Sequence, residues 1–298
     1  MDLAALLDRC DFPDGPLALG VSGGADSVAM ALLAHEADRE FTIWHVDHGL
    51  RPSASTDADM VDALASRLDV GFELREVTVA AGGHLEARAR TARYAVLPAD
   101  VCVGHTADDR AETVLFNLLR GAGPAGVAAP MARVRRPILR LRRFETEAIC
   151  GAAGVIPITD EHNLDPSFTR VRIRTELLPL IAELFDRDPV PLINRHADLL
   201  GDVLAVVQDH AAEIDPTDTG ALAAAPKAVA TEALRAWIRT STPDGATPDA
   251  ASIERVMRVV DGSHVATEIE GGHRVSRSKG RLSLDPVDPD PVDAEPER

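Results

Sequence analysis

The chain has 298 residues, of which 45% are hydrophobic, 27% charged and 3% aromatic. This length suits one large domain or two modest ones, each able to bury a real core. The formal net charge of −17 argues against a polyanion partner unless the basic residues gather on one local surface.

No segment approaches the ~20 apolar residues that a membrane-spanning helix needs. The N-terminal residues carry acids and lack the basic start and apolar run of a signal peptide. Three widely spaced cysteines without a CxxC pair argue against a disulfide framework or a cysteine metal site, and fit a reducing compartment. We therefore expect a cytoplasmic protein without membrane contact. The sequence does not indicate the oligomeric state.

The first part of the chain alternates apolar runs with amphipathic segments. The pattern predicts strands at 17–21, 41–46, 72–79 and 100–103, and helices at 26–37, 57–69, 84–97 and 106–120. Such alternation predicts a Rossmann-like α/β fold, a parallel sheet with helices on both faces. Ligands bind beyond the carboxyl ends of these strands, where segments 22–27, 45–51 and 104–109 should meet.

The second part of the chain reads as mainly helical from about residue 142. Pro189 and Pro191 precede a long helix at 192–213, and a linker is predicted at 214–220. Helices at 221–240 and 249–261, then a hairpin turning at Gly271–Gly272, predict a small α+β domain. The expected division is a catalytic domain at 1–185, a helical connector at 186–216, the C-terminal domain at 217–284 and a disordered acidic tail at 285–298.

The segment Ser22-Gly23-Gly24-Ala25-Asp26-Ser27 joins the first strand to a helix. Two glycines allow close approach of the backbone to phosphates, and the helix N-terminus offers free N–H groups. It is not a Walker A loop, because no GKS or GKT follows. Asp26 would repel phosphate, so it is expected to meet a cation, either Mg²⁺ or an amine substrate. The alternative is a simple strand–helix turn with a serine cap.

The segment 104–113, GHTADDRAET, ends the fourth strand and begins a helix. At 100° per residue, Asp109 and Glu112 fall on one face. The apolar stripe of Ala111, Val114, Leu115 and Leu118 falls on roughly the opposite face. Acids also favour the first turn of a helix on electrostatic grounds, which is the alternative explanation. A histidine such as His105 titrates near neutral pH and can take a proton from an attacking amine.

These motifs resemble known families. SGGADS is similar to the SGGxDS loop of the PP-loop ATP pyrophosphatases, which pass AMP from ATP to a carbonyl-type oxygen. The stretch HVDHGLR at 45–51 resembles the HVNHGLR of tRNA(Ile)-lysidine synthases, with Asp47 for the usual Asn. GHTADDRAET resembles GHHxDDQxET, with Thr106 for a second His and Arg110 for Gln. LRGAGPAG at 119–126 resembles the LxRGxGxxGL turn.

Two arginine-rich segments also resemble motifs of this family. HLEARARTARY at 84–94, with Arg90 and Arg93, is similar to ARxxRY and places guanidinium groups near phosphates, or else forms a solvated helix face. TDEHNLDPSFTRVRIRTELLP at 159–179 is similar to DPSNxDxxFxRNRIRxxLLP, with Val171 for Asn. Its arginines, Arg170, Arg172 and Arg174, can straddle a phosphate backbone or simply be exposed charge at a helix start.

The resemblance implies a ligase that uses ATP and Mg²⁺ on the wobble cytidine of tRNA(Ile) with a CAU anticodon. Adenylation at O2 and attack by the side-chain amine of L-lysine would give lysidine. Asp26, His105 and Glu112 are the implied catalytic residues, and Asp109 and Glu112 the implied lysine site. The acid-free runs at 133–143 and at Arg274, Arg277 and Lys279 are our candidates for tRNA contact.

Three other functions are weighed against this one. A PP-loop tRNA thiolase would need paired cysteines, which Cys10, Cys102 and Cys150 do not provide. Another PP-loop adenylating enzyme is a further alternative, although an amidotransferase for a small metabolite would need a glutaminase domain that does not fit in 298 residues. A tRNA-binding module with a degenerate loop is disfavoured by the intact SGGADS.

Overall fold

The computed structural model describes residues 2–47, 54–77, 85–128, 134–158, 165–243, 245 and 248–287. The chain divides into two compact units, one formed by residues 1–122 and 126–198 and the other by residues 123–125 and 199–298. The predicted division into four parts remains a prediction. Within the described part of the chain, no helix is long and apolar enough to cross a membrane.

The first unit contains a parallel four-stranded sheet. Its elements in chain order are α1 Leu3–Leu7, β1 Leu17–Gly20, α2 Ala25–Glu36, β2 Phe41–Asp47, α3 Ala54–Leu68, β3 Gly71–Glu76, α4 Leu85–Val96, β4 Cys102–Val103 and α5 Ala107–Leu119. The sheet order is β3-β2-β1-β4, and every pairing is parallel. This confirms the predicted Rossmann-like α/β fold.

Alternate residues of the two central strands fill the core of this unit. Leu19 of β1 and Ile43 of β2 are fully buried, and the apolar residues of α2 pack beside them. Because α2 is apolar on nearly all sides, it lies inside the unit, against the sheet and another helix. The residues that follow β1, β2 and β4 consequently meet at one edge of the sheet.

The rest of the chain is helical up to a second, antiparallel sheet. The further elements are α6 Pro124–Ala128, α7 Arg143–Ala152, α8 Thr169–Arg172, a π-helical turn at Ile173–Leu177, α9 Leu178–Phe185, α10 Pro189–Ala212, α11 Thr219–Ala224, α12 Lys227–Ser241, α13 Ala250–Val260, β5 Ala266–Ile269, β6 His273–Ser278 and β7 Arg281–Pro286. The sheet order is β5-β6-β7. Pro189 begins α10 rather than preceding it, because proline suits the first helical turn.

Three local predictions need correction. The hairpin turn at Gly271–Gly272 is present, but the second strand divides at Lys279–Gly280, where both residues have positive φ. A two-residue turn of this kind reverses the chain and produces a third strand. The predicted tail begins too early, since Asp285 pairs with Arg274 within β7. The helix predicted at 221–240 is interrupted by Pro226, which lacks the N–H that a helix interior needs.

Candidate active site

The PP-loop residues connect β1 to α2 in a tight turn. Ser22 N–H donates to Ser27 Oγ at 3.1 Å, and Ser27 Oγ donates to the Gly24 carbonyl at 2.9 Å. Gly23 has a φ of +89°, and a Cβ there would lie 2.3 Å from Ile158 Cδ1, so only glycine fits. Gly24 is the N-cap of α2 and supplies no side-chain cap. The first-turn amides of α2 are therefore not occupied by a capping side chain, and they suit an anion.

The end of β4 lies directly against this loop. A Cβ on Gly104 would be 2.7 Å from backbone atoms of Asp26 and Ser27. Glycine is therefore required at 104, and the next residues, His105 and Thr106, lie beside the loop. The predicted convergence of the segments at 22–27 and 104–109 is visible in the structure.

Three carboxylates and two arginines meet beside the loop in what we call the acid–arginine cluster: Asp26, Asp109, Glu112, Arg143 and Arg174. Arg143 lies at its centre, with N–O distances of 3.5 Å to Asp26, 2.6 Å to Asp109 and 3.2 Å to Glu112. Arg174 Nε donates to Glu112 Oε1 at 2.7 Å, and its Nη2 donates to Oε2 at 3.0 Å. The three predicted acids are thus together, and arginines already balance part of their charge.

Asp26 is electrostatically unusual. Burial, followed by repulsion from Asp109, raises the pKa of the Asp26 carboxyl to about 6. The hydrogen bond from the Thr146 hydroxyl and the nearby Arg143 act in the opposite direction. A carboxyl with this pKa is ionised at neutral pH, yet accepts a proton more readily than an ordinary aspartate.

The other acids at the start of α5 have structural partners. Thr106 N–H donates to Asp109 Oδ2 at 2.8 Å, which completes a capping box with the Thr106 side chain. Asp108 forms two hydrogen bonds with Arg142, which with the Arg143 backbone amide lower its pKa despite burial. Capping therefore explains the contact of Asp109 Oδ2, whereas Oδ1 pairs with Arg143. It does not explain Glu112, which is only 3% exposed.

The predicted amphipathic face of α5 is partly wrong. Ala111 and Val114 are buried as expected, but Leu118 is 54% exposed and Glu112 is buried. Glu112 is buried because Arg143 and Arg174 cover it and neutralise its charge. A helix can bury a carboxylate when guanidinium groups satisfy its oxygens.

A hydrogen bond from Arg136 indicates which ring nitrogen of neutral His105 carries the proton. Arg136 Nε donates to His105 Nδ1 at 3.0 Å. A guanidinium can only donate, so Nδ1 must be an acceptor, and in the neutral ring Nε2 carries the proton. The neutral ring is therefore a donor through Nε2, which does not favour the predicted role of His105 as proton acceptor.

His45 is buried at the end of β2, where its Nδ1 lies 2.8 Å from the Val21 carbonyl. This contact ties β2 to the residue before the PP-loop. His48 and the rest of the predicted motif, up to Arg51, lie outside the described residues. Among the described residues, no group of three or more His, Cys, Asp or Glu side chains is arranged to hold a metal ion.

Three arginines of the run at 133–143 have a role in the site that was not predicted. We predicted that this run contacts tRNA, whereas Arg136, Arg142 and Arg143 contact His105, Asp108 and the acid–arginine cluster. The sequence did contain a signal. Acids predicted to converge in a partly buried site need cationic partners, and this acid-free run was available.

The predicted phosphate-contacting arginines of the first unit differ in their surroundings. Arg172 pairs with Glu176 on the surface, and Arg174 belongs to the cluster. Arg170 lies against the Phe116 ring, with its guanidinium carbon 5.5 Å from the ring centroid. Arg93 is exposed on α4, and the side chain of Arg90 lies outside the described residues.

The predicted basic residues of the second unit also differ. Arg277 Nη1 donates to the Val260 carbonyl at 3.0 Å and so satisfies the C-terminus of α13. Arg274 and Lys279 are exposed on β6 and at the following turn. Of the three predicted basic residues of the second unit, Arg274 and Lys279 are therefore the accessible candidates for tRNA contact.

Comparison with known proteins identifies the family. A family model for an ATP-binding PP-loop domain matches residues 2–181. The tRNA(Ile)-lysidine synthase of Nocardia farcinica is 36% identical over 297 residues, covering 90% of this chain and 91% of that protein. The Salinispora tropica protein of the same name is 36% identical, covering 94% of this chain and 93% of that protein.

The chain belongs to the tRNA(Ile)-lysidine synthase family. This confirms the family predicted from the motifs, and with it the predicted ligase function, while membership of a PP-loop family implies the use of ATP. A U34-tRNA thiolase from Methanococcus maripaludis with its [4Fe-4S] cluster has a similar structure, with a TM-score of 0.53 and 14% identity, covering 67% of this chain and 78% of that chain. At this identity the likeness shows the fold alone.

The cysteines give no support to the thiolase alternative. Cys10, Cys102 and Cys150 are free thiols in the described structure. Burial raises the pKa of each thiol to about 11. Such thiols stay protonated at neutral pH, whereas thiolates are the form that attacks and binds clusters.

Proposed function

We propose that the protein joins L-lysine to C2 of the wobble cytidine in tRNA(Ile) with a CAU anticodon. ATP first adenylates O2 of the cytidine and releases pyrophosphate. The lysine side-chain amine then attacks C2, AMP leaves with O2, and the nitrogen loses its protons to a base. The observation that carries the proposal is the acid–arginine cluster beside a PP-loop, in a chain 36% identical to named lysidine synthases over most of its length.

The loop residues Ser22, Gly23, Gly24, Ala25 and Ser27 are proposed to hold the phosphates of ATP. The uncapped N-terminus of α2 and the close approach allowed by two glycines support this. Mg²⁺ is expected to accompany ATP, where it neutralises phosphate charge. Asp26 is the carboxylate of the loop, and no described carboxylate cage adjoins it. Phosphate oxygens and water should therefore supply most of the ligands, as is common for Mg²⁺.

The charge of the cluster supports a site for the lysine ammonium. Three carboxylates face two guanidinium groups, so the ionised cluster has a deficit of one positive charge. An ammonium group beside Asp26 and Asp109 would restore the balance. Glu112 is held on both oxygens by Arg174, which makes it the anchor of the arrangement rather than a free acceptor.

Proton transfer is assigned to Asp26 in this proposal. Its raised pKa, about 6, suits it to take a proton from the bound lysine ammonium, so that the free amine can attack C2. His105, whose Nδ1 accepts from Arg136, would donate from Nε2 to developing negative charge on the substrate or on departing AMP. Asp26 would thus take a proton from the nucleophile, and His105 would stabilise negative charge on the substrate or the leaving group.

The proposal is tested by incorporation of radiolabelled lysine. Purified protein, Mg²⁺ and a tRNA transcript with a CAU anticodon should give labelled RNA only when ATP is added. A matched transcript with a GAU anticodon is the control and should stay unlabelled. Pyrophosphate release with another acceptor, and no label with the CAU transcript, would retain the PP-loop chemistry and refute the substrate. We infer a cytoplasmic location from the same substrate.

A further inference from the structure

A cavity of about 320 Å³ lies beside the second half of α5, outside the acid–arginine cluster. Five residues line it: Phe116, Leu119, Arg120, Thr169 and Ile173. Ile173 is buried and forms an apolar wall, whereas Leu119 is 68% exposed. The volume is near the lower end of small-molecule sites, which span roughly 300–1,000 Å³.

Two guanidinium groups surround the single aromatic ring of this cavity. The guanidinium carbon of Arg120 is 5.1 Å from the Phe116 centroid, and that of Arg170 is 5.5 Å away. Both distances are within the range of cation–π attraction. Among the described residues, neither arginine pairs with a carboxylate, although Arg172 and Arg174 on the same segment both do. These two cations give the cavity positive charge beside the flat apolar ring of Phe116.

A nucleotide matches this combination better than any other ligand chemistry. Its base has a flat face that stacks on an aromatic ring or a guanidinium plane, and its phosphate pairs with arginine. We propose that the cavity binds one unstacked nucleotide of the tRNA anticodon loop, adjacent to the reacting cytidine. The base takes the place of one of the two guanidinium groups on the Phe116 ring, and the displaced arginine contacts the phosphate. The inference rests on the proposed function, since it takes the nucleotide from tRNA.

The position of the cavity fits a neighbour of the reacting nucleotide. Phe116 lies four residues after Glu112 on α5, and Arg170 lies four residues before Arg174. Four residues are about one helical turn, or roughly 6 Å along the axis. The cavity therefore adjoins the acid–arginine cluster one turn further along two elements at once. A strand of RNA that places one base at the cluster can place the next at Phe116.

The test measures binding of a fluorescent RNA hairpin carrying the CAU anticodon loop to the full chain. Phe116→Leu keeps the apolar wall but removes the stacking surface, and should weaken binding about tenfold. Arg120→Gln should weaken it about threefold to tenfold and reduce the slope of log Kd against log salt by about 0.7. A hairpin lacking one base beside the wobble position should bind wild type and Phe116→Leu with equal affinity.

Two controls separate this site from general effects. Phe185→Leu and Arg187→Gln make the same chemical changes at exposed positions and should leave the affinity within twofold. ATP affinity should stay unchanged in all four variants. Equal RNA affinity of Phe116→Leu and wild type, or a loss confined to ATP binding, would overturn the inference. Failed lysine incorporation with intact, Phe116-dependent RNA binding would refute the proposed function but leave the cavity assignment standing.

Discussion

The acid–arginine cluster and the β6–β7 hairpin both contain arginines from arginine-rich stretches of sequence, but these arginines have different partners in the two places. In the cluster, Arg143 and Arg174 neutralise carboxylates that are largely buried. In the hairpin, Arg277 satisfies a backbone carbonyl and Arg281 pairs with Asp215, while Arg274 and Lys279 are exposed. An arginine-rich run therefore overstates the number of cations that are free for a nucleic acid.

Among the tests of the acid–arginine cluster, Asp26→Asn should have the largest effect. Loss of the proton acceptor should reduce kcat/KM for lysine by about 10²–10⁴-fold. Wild-type activity should fall below pH 6, because protonation of a carboxyl with a pKa of about 6 removes the base. The pH–rate profile of both proteins checks this. Asp14→Asn, at an exposed position, should behave as wild type, and a wild-type profile that stays flat through pH 6 would contradict the assignment.

The Asp26 carboxyl should also affect stability: Asp26→Asn should lower activity but raise the unfolding free energy at neutral pH. Its folded pKa lies above the usual value of 3.8, so the folded state retains a proton that the unfolded state has lost between pH 4 and 6. As the pH rises from 4 to 6, the unfolding free energy of the wild type should therefore fall relative to that of Asp26→Asn. Above pH 6 the variant should be more stable by on the order of 1–3 kcal/mol, and below pH 4 the difference should vanish. Urea unfolding at several pH values measures this difference.

The next largest effect is expected from Glu112→Gln. This change leaves Arg143 and Arg174 partly buried without a full counter-charge, and should reduce the unfolding free energy by about 2–4 kcal/mol. Adding Arg174→Met should recover part of the loss. Glu176→Gln, at an exposed pair, should leave the urea midpoint unchanged. An equally stable Glu112→Gln protein would show that the cluster does not depend on this carboxylate.

Sequence periodicity was sufficient for the scaffold, because strands and helices depend on local patterns. The alternation of β1, α2, β2 and α3, and the meeting of segments 22–27 and 104–109, followed from those patterns. The partners of the acids did not, since Arg143 and Arg174 reach Glu112 from 31 and 62 residues away in sequence. The state of His105 likewise depends on Arg136, 31 residues away. Such contacts need the tertiary structure, and the π-helical turn that carries Arg174 has no simple sequence pattern.

A smaller effect, on tRNA affinity, is expected from the exposed basic residues of the β6–β7 hairpin. Reversing both exposed charges, in Arg274→Glu/Lys279→Glu, should weaken binding of full-length tRNA about tenfold at moderate salt. ATP affinity should not change, because the loop at Ser22–Ser27 is untouched. The measurement is a filter-binding titration at several salt concentrations. Unchanged tRNA affinity with a normal fold would exclude this surface.

The smallest effect is expected from Arg277→Gln, and it separates a structural arginine from a binding one. The variant loses the hydrogen bond to the Val260 carbonyl, so α13 ends with an unsatisfied acceptor and the unfolding free energy should fall by about 1 kcal/mol. If Arg277 is structural, tRNA affinity should change less than in Arg274→Gln, which removes the same charge from an exposed side chain. Urea unfolding and tRNA titration of the two variants decide the matter. The reverse order, with stability lost in Arg274→Gln and affinity lost in Arg277→Gln, would mean that the basic run of the hairpin acts on tRNA as the sequence first suggested.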